Sequence, residues 1–252
     1  MNKLPILTLH SIDGSGSVIS MPPPEFVRMM ESLADAGWRG CTISEALARW
    51  QTDPATTKLF GLSFDDGYRN LLEEALPILR ALDFAASVFV ITGRCGDDNR
   101  WPGQPSWVPT MQLLDWPDLE ALMAAGWEIA SHGSSHLPLT ELGRQNVVQE
   151  VEESKALLER NLAVQVPLFA YPYGAHNETV RGIVREYHDA AVGVRLALAT
   201  RADASESFAL PRIDAHYLRR FSAPKAIDSA AGAAYLAARR WAASLRRPPW
   251  EG

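Results

Sequence analysis

Short apolar runs alternate with helical patterns along most of this chain, and this alternation restricts the possible folds more than any other feature. Strands are predicted at 4–9, 59–64, 85–91, 127–131, 167–171, 190–194 and 208–213. Strands and helices in alternation indicate an α/β chain with a parallel sheet and helices outside it. About seven such repetitions favour a closed or nearly closed barrel over an open, doubly wound sheet.

Apolar residues at helical spacing predict the helices between these strands. The predicted helices cover 26–33, 71–82, 118–125, 144–160 and 176–186. Pro77 is expected to kink the second helix or to mark its effective start. The chain contains neither G-x-G-x-x-G nor a Walker A pattern, which also argues against a nucleotide-binding open sheet.

Composition limits the function classes. A chain of 252 residues is long enough for one large domain, and we predict a single catalytic domain over 1–252, with a helix and a basic tail from about residue 223. The net charge of −6 gives no reason to expect a nucleic-acid partner. Two distant cysteines form no disulfide framework and fit a reducing compartment.

Neither end of the chain carries a clear membrane signal. The first apolar stretch is interrupted at His10 and Asp13, and no segment reaches the ~18–20 apolar residues of a membrane span, so the chain is predicted to be cytoplasmic. The basic end contains Arg239, Arg240, Arg246 and Arg247. An outer helix with a solvated tail is the favoured interpretation, and peripheral contact with an anionic membrane is the weaker one. Nothing indicates an oligomeric state.

The 94–116 stretch is the longest irregular segment, and it carries Trp101, Trp107 and Trp116. Long loops in compact domains are often functional. Two interpretations stay open: the tryptophans stack against a sugar face, or they pin the loop to the barrel.

Polar residues follow five of the predicted strands. They are His10 after 4–9, Asp65 and Asp66 after 59–64, His132 after 127–131, the turn 171–174 after 167–171, and Arg212 near the end of 208–213. Barrel enzymes build their active sites at the carboxyl ends of the strands. The sequence therefore predicts that these groups meet at one rim of the barrel.

Each of these signals is weak alone. An Asp-Asp-Gly sequence is usually a turn or a helix cap, and His132 and His136 as an isolated pair would be two polar residues on one face. Together, one carboxylate and two histidines supply three ligands for a divalent metal and leave positions open for water or substrate. The second carboxylate remains as a general base. A cation would also make two adjacent aspartates tolerable.

Three motifs carry a family resemblance: SFDDG at 63–67, HGSSH at 132–136 and FAYPYG at 169–174. With them the chain resembles the polysaccharide deacetylases of carbohydrate esterase family 4, which share NodB homology. The resemblance extends from the first strand to about residue 216, and the first two motifs are highly specific. It implies a distorted (β/α)7 barrel of the NodB type.

The resemblance also assigns roles to residues. It implies that Asp66, His132 and His136 bind the metal and that Asp65 is the base that activates water. The backbone N–H of Tyr173 would help hold the oxyanion of the tetrahedral intermediate. Zinc is the default metal, and cobalt, nickel or iron are alternatives for such a ligand set.

Two departures from the family pattern leave roles open. Ala170 stands where the family's third motif has an arginine that orients the base, and Arg212 is our hypothesis for its substitute. The alternative is that Arg212 is a surface arginine. The general acid is either His10, as in the sub-group resembling poly-N-acetylglucosamine deacetylases, or His216, which imitates a C-terminal Leu-x-His motif. We favour His10, and His176 is interpreted as a helix-start residue.

These inferences predict a metal-dependent hydrolase that removes N-acetyl groups from an amino sugar in a glycan or glycoconjugate and releases acetate. Two other functions remain open. One is hydrolysis of small amides or cyclic imides on the same barrel, and the other is a metal-free glycan-binding pseudoenzyme.

Overall fold

The computed structural model describes residues 3–52, 58–219 and 221–244 of the chain. Its strands are β1 Lys3–Leu4, β2 Ile6–Leu9, β3 Ser11–Ile12, β4 Ser20–Met21, β5 Arg39–Cys41, β6 Leu59–Phe64, β7 Ser87–Val90, β8 Glu128–Ser131, β9 Leu168–Ala170, β10 Ala190–Val192, β11 Ala199–Thr200 and β12 Ile213–Asp214. Its α-helices are α1 Pro23–Asp35, α2 Ile43–Thr52, α3 Leu76–Ala81, α4 Trp116–Ala124, α5 Arg144–Leu162, α6 Glu178–Tyr187, α7 Arg201–Glu206, α8 Ala223–Asp228 and α9 Ala230–Ser244.

Parallel pairing joins β10, β9, β8, β7, β6, β2 and β12 in that order. Val192 in β10 also forms a parallel bridge with Leu210, just before β12, which closes the ring. The extra strand β5 pairs with the first half of β6, while β7 pairs with its second half. This shared edge distorts the barrel. The predicted (β/α)7 architecture is confirmed.

Side chains alternate between two apolar layers along the barrel strands, as the two-residue period of a strand requires. Val88, Val90 and Ile129 pack outward into the large cluster beneath the helices. Phe89 and Ala130 pack into a separate cluster inside the barrel. Since both faces are covered, the six residues of β6 are all buried.

Several element boundaries differ from the sequence predictions. The predicted helix 71–82 is a π-helical turn at Leu71–Ala75 followed by α3, with Pro77 in the first turn of α3, so the proline marks the effective start. Helix α6 begins at Glu178 with Asn177 as its N-cap, and His176 therefore lies before the helix. Strand β5 was not predicted, because it has only three residues, and helix α2 was not predicted although its buried residues stand at helical spacing.

The C-terminal segment forms α8 and α9, which pack on the outside of the barrel near α1. Leu236 is buried there, and Tyr235 stacks on Phe221 with ring centroids 4.6 Å apart. The basic tail with Arg246 and Arg247 lies outside the described residues. Within the described ranges, no helix has both the length and the apolar character needed to cross a membrane.

Candidate metal centre and catalytic pocket

The pocket lies at the carboxyl ends of the barrel strands. Its volume is about 340 Å³, within the range of small-molecule sites. The predicted site residues that line it are His10, Asp65, Asp66, His132, His136, Tyr173 and Arg212. The strand period explains part of this convergence, because His10 is two residues beyond the inward-facing Thr8 and Asp65 is two beyond the inward-facing Ser63.

Asp66, His132 and His136 form a compact group of three buried ligands. Nε2 of His132 lies 3.4 Å from Oδ1 of Asp66, and Nε2 of His136 lies 3.3 Å from the same oxygen. All three ligand atoms lie within 4.8 Å of one another. Ligand atoms that share a tetrahedral zinc at about 2.0–2.2 Å are about 3.3–3.6 Å apart, so this group has the size of a metal site.

The imidazole of His132 is oriented by a backbone contact. Its Nδ1 lies 2.8 Å from the carbonyl oxygen of Ala170, and an Nδ1–H that donates to this oxygen leaves the Nε2 lone pair facing Asp66. Metal-binding histidines are commonly held in this way by their second nitrogen. The tautomer, the donor types and the spacing therefore fit a divalent ion.

His136 is fixed by two aromatic neighbours. The rings of Trp101 and Tyr173 each lie with their centroids 4.5 Å from that of His136. The indole N–H of Trp101 also donates to the hydroxyl of Tyr173 over 3.2 Å. Trp101 thus pins the long loop against the metal group, whereas Trp107 is exposed and Trp116 starts α4.

The loop that carries the two histidines is held by Glu150 of α5. Oε2 of this buried carboxylate accepts hydrogen bonds from the backbone N–H groups of Ser134 and Ser135 at 2.8 and 2.9 Å, and Oε1 accepts from the hydroxyl of Ser135 at 2.6 Å. On the other side of the loop, Gly93 donates to the carbonyl of Ser134, which would lie 2.5 Å from a Cβ at position 93. The loop approaches this closely only because residue 93 is glycine.

Three residues of the site have a left-handed backbone. The φ angles of Asp66, His136 and Tyr173 are 69°, 56° and 58°. Residues with side chains avoid this region, and those that adopt it cluster at functional sites. At His136, the contacts of Glu150 and Gly93 with the neighbouring Ser134 and Ser135 hold the backbone in this left-handed conformation.

Both carboxylate oxygens of Asp65 are paired with Arg212. The guanidinium donates from Nη1 to Oδ1 over 2.6 Å and from Nη2 to Oδ2 over 2.7 Å. Arg212 is only 1% exposed, and its Nε donates to the carbonyl of Gly193 at 3.0 Å. This buried bidentate pair excludes the alternative that Arg212 is a surface arginine.

The position of Arg212 bears on the hypothesis that it substitutes for an arginine at position 170, where this chain has alanine. The family's third motif places an arginine on the strand that here is β9, but the guanidinium beside Asp65 comes from the segment before β12. Ala170 contributes its carbonyl to His132 and its methyl group to the apolar cluster inside the barrel. The guanidinium of Arg212 lies above the ring of Phe89 from that cluster, 5.5 Å from its centroid.

The two candidate general acids lie in different cavities. His10 lines the pocket together with both aspartates. His216 lines a neighbouring cavity with Glu25 and Arg219, and its own backbone N–H donates to the side chain of Asp214. This placement supports His10 for the role.

The charges of the site perturb its pKa values in different directions. Burial alone would raise the pKa of Asp65, but the guanidinium of Arg212 outweighs burial and lowers it. Burial also opposes ionisation of Asp66, and the two imidazoles hold its pKa well below the usual value. Burial opposes ionisation of His132, but its contact with Asp66 and the nearby charge of Asp65 together outweigh burial and raise its pKa, whereas burial lowers the pKa of His136. Both aspartates are therefore carboxylates at neutral pH.

Sequence reasoning missed Glu150 and Tyr68. Tyr68 is fully buried, lines the pocket and receives a long hydrogen bond from Asn99. A glutamate on the buried face of the otherwise amphipathic helix 144–160 was the available signal for Glu150, since buried carboxylates are rare without a partner.

Comparisons with known proteins agree with this geometry. A family model described as polysaccharide deacetylase matches residues 52–191, which is more than half of the chain. YxkH of Bacillus subtilis (strain 168), whose name refers to the same family, is 31% identical over 177 residues, covering 70% of this chain and 58% of YxkH. A poly-beta-1,6-N-acetyl-D-glucosamine N-deacetylase of Staphylococcus aureus is 23% identical over 50% of this chain and 43% of its own. This chain thus spans about half the length of these relatives.

A solved structure shows the same fold. The Streptococcus pyogenes deacetylase PplD in complex with acetate superimposes with a TM-score of 0.72 at 24% identity. The match covers 84% of this chain and 92% of that one. The metal group and Asp65 lie within the range of the family model, whereas His10 and Arg212 lie outside it.

Proposed function

Because the chain belongs to the polysaccharide deacetylase family, whose members hydrolyse carbon–nitrogen bonds other than peptide bonds, we propose that it removes an N-acetyl group from an amino sugar in a glycan or glycoconjugate and releases acetate. One observation carries the proposal: a carboxylate clamped by an arginine lies beside a three-ligand metal group in a single pocket.

Asp66, His132 and His136 would hold one divalent ion. Zinc is the default, with cobalt, nickel and iron as alternatives. When bound, the ion supplies Lewis-acid polarisation of the amide carbonyl and a lower pKa for water. The relative named as a poly-beta-1,6-N-acetyl-D-glucosamine N-deacetylase supports an N-acetylated amino sugar as the substrate class.

Asp65 is the proton acceptor in this proposal. As the oxygen of water bonds to the carbonyl carbon, a carboxylate oxygen of Asp65 takes the proton that water loses. Each carboxylate oxygen has two lone-pair positions, so the bonds to Arg212 leave room for this transfer. Arg212 is a positioning residue, since it fixes the direction of the carboxylate and keeps it ionised.

The remaining steps fall to Tyr173 and His10. The backbone N–H of Tyr173 donates to the oxyanion as the carbonyl carbon becomes tetrahedral. His10, in its protonated form, gives a proton to the amide nitrogen as the carbon–nitrogen bond breaks. The products are acetate and a free amino group on the sugar.

Acetate release over a substrate panel tests the function. We expect purified protein to release acetate from N-acetylglucosamine oligomers, to stop after chelation and to recover when zinc or cobalt is added back. Small amides and cyclic imides serve as the contrasting substrates, and faster turnover of these would contradict the proposal. Absence of bound metal together with absence of turnover would indicate the glycan-binding pseudoenzyme instead.

Alanine at His10 is expected to lower kcat by about a hundredfold or more, because the leaving amine then lacks its proton donor. The matched change His216→Ala is expected to leave kcat for neutral oligomers within about twofold, since His216 does not line the pocket. Steady-state assays of both variants, with the metal content of each measured, decide which of the two histidines is the general acid. A large loss in His216→Ala alone would transfer the role of general acid to His216.

A further inference from the structure

A second cavity adjoins the catalytic pocket. Glu25, His216, Tyr217, Arg219 and Arg239 line it, and Tyr217 also lines the catalytic pocket. The tyrosine is therefore a wall shared by both cavities. We call the second cavity the Tyr217 groove.

The elements around the Tyr217 groove place it at the catalytic rim of the barrel. His216 and Tyr217 belong to the 3₁₀ turn Ala215–Leu218, which follows β12 directly. Glu25 lies in the first turn of α1, near the amino end of that helix. Arg239 reaches in from α9. The groove and the catalytic pocket therefore lie side by side at this rim, with Tyr217 between them.

The groove carries more positive than negative charge, although the whole chain has a net charge of −6. Its one carboxylate, Glu25, is already paired with Arg219. Among the described residues, no carboxylate pairs with Arg239, whose Nε donates to the hydroxyl of Tyr235 over 3.3 Å. Nδ1 of His216 is also buried without a hydrogen-bond partner in the described structure.

The aromatic wall beside these cations is firmly held. The hydroxyl of Tyr235 donates to the backbone carbonyl of Tyr217 over 2.6 Å, and Tyr235 itself stacks on Phe221. The guanidinium of Arg239 lies over the ring of Tyr217, 5.0 Å from its centroid. This contact directs Arg239 toward the wall that the groove shares with the catalytic pocket.

We propose that the Tyr217 groove binds an anionic group, a phosphate or a carboxylate, attached next to the N-acetyl sugar that is hydrolysed. A guanidinium recognises both groups through paired N–H donors. The inference rests on the proposed deacetylase function and narrows its substrate to anionic glycoconjugates. Arg239 is the residue that distinguishes anionic from neutral substrates, because the charge of Arg219 is already neutralised by Glu25.

The test compares matched substrates and matched variants. The substrates are a neutral N-acetylglucosamine disaccharide, the same sugar joined to a uronic acid, and N-acetylglucosamine 1-phosphate. The variants are Arg239→Ala, Arg239→Lys and the control Arg240→Ala, which removes an arginine on the same helix that does not line the groove. The readout is kcat/KM for acetate release.

We expect the unaltered enzyme to prefer an anionic substrate by about tenfold, and Arg239→Ala to lower kcat/KM for the anionic substrates about tenfold and kcat/KM for the neutral disaccharide far less. Arg239→Lys should retain part of the preference, and Arg240→Ala all of it. The better of the two anionic substrates identifies phosphate or carboxylate as the group bound. Equal kcat/KM for neutral and anionic substrates, or equal effects of the alanine variants, would overturn the inference.

A binding measurement separates this inference from the proposed function. Calorimetric titration with inorganic pyrophosphate needs no turnover, and we expect Arg239→Ala to bind it about tenfold more weakly than Arg240→Ala does. If no substrate releases acetate, the proposed function has failed while this titration still tests the groove. Equal binding by the two variants would overturn the anion site whatever the activity.

Discussion

Asparagine in place of Asp65 is expected to lower kcat for acetate release by between about a hundredfold and ten-thousandfold while the protein keeps its metal. The amide has nearly the same shape as the carboxylate but does not accept the proton of water. Both oxygens of Asp65 are hydrogen-bonded to Arg212, whereas Oδ1 of Asp66 faces the two imidazoles, so replacement of Asp65 leaves the three metal ligands intact. Metal content after dialysis and kcat, measured on the same sample, check this expectation.

Asp66→Asn is the matched control, and it should give the opposite result. Oδ1 of Asp66 faces Nε2 of both His132 and His136, so the loss of its charge removes the anionic ligand of the site. We expect this variant to lose its metal on dialysis and to regain partial activity only in excess metal. If Asp65→Asn lost its metal as readily, the division of roles between the adjacent aspartates would be wrong.

Alanine at Arg212 is expected to reduce both stability and activity. Removal of one partner of a buried ion pair leaves an uncompensated charge and typically costs about 3–5 kcal/mol of unfolding free energy. The pair is almost fully buried, with Arg212 only 1% exposed, so this full range applies. Without the guanidinium, the carboxylate of Asp65 is also no longer directed, and we expect kcat to fall by about a hundredfold. Urea unfolding and steady-state kinetics provide the two measurements.

Further variants separate positioning from a general loss of structure. Arg212→Lys keeps the charge but not the bidentate geometry, so it should recover stability more than kcat. Millimolar guanidinium should restore part of the activity of Arg212→Ala if the effect is local. Arg195→Ala, which breaks the surface pair with Asp203, is the control and should change stability by no more than about 1 kcal/mol. Full activity of a folded Arg212→Ala protein would dismiss the positioning role.

Six of the seven barrel strands were predictable because each is a short apolar run with both faces buried, whereas the predicted strand 208–213 shares only Ile213 with β12. The segment LFGLSF at 59–64 coincides with β6, and the run 85–91 contains β7. Strand β5 was missed because it has only three residues and, among the described strands, pairs only with β6. Helix α2 was overlooked although its buried residues Ile43, Ala46, Leu47 and Trp50 stand at helical spacing. The split of the helix at Pro77 was anticipated from the proline, but its π-helical first turn was not.

The candidate site was predictable to the extent that its residues follow strands. Asp65, Asp66 and the two histidines stand at strand ends in motifs with distinctive spacing, so their meeting at one rim follows from the topology of a parallel barrel. The contact between Asp65 and Arg212 joins residues 147 positions apart and was only a hypothesis before the structure. Glu150 was missed although it stands on the buried face of a helix, because two of its three hydrogen-bond donors are backbone N–H groups, which leave no pattern in the sequence.

The sequence by itself determined the alternation of strands and helices along the chain and the identity of the polar residues that follow the strands. These features depend on side-chain periodicity and on residue type, which are local properties of the chain. The tertiary structure alone decided that Arg212 rather than a residue on β9 clamps Asp65, that His10 rather than His216 enters the pocket, and that Tyr217 separates the pocket from a basic groove. Each of these outcomes depends on distances between side chains that are far apart along the chain, and closure of the barrel sets those distances.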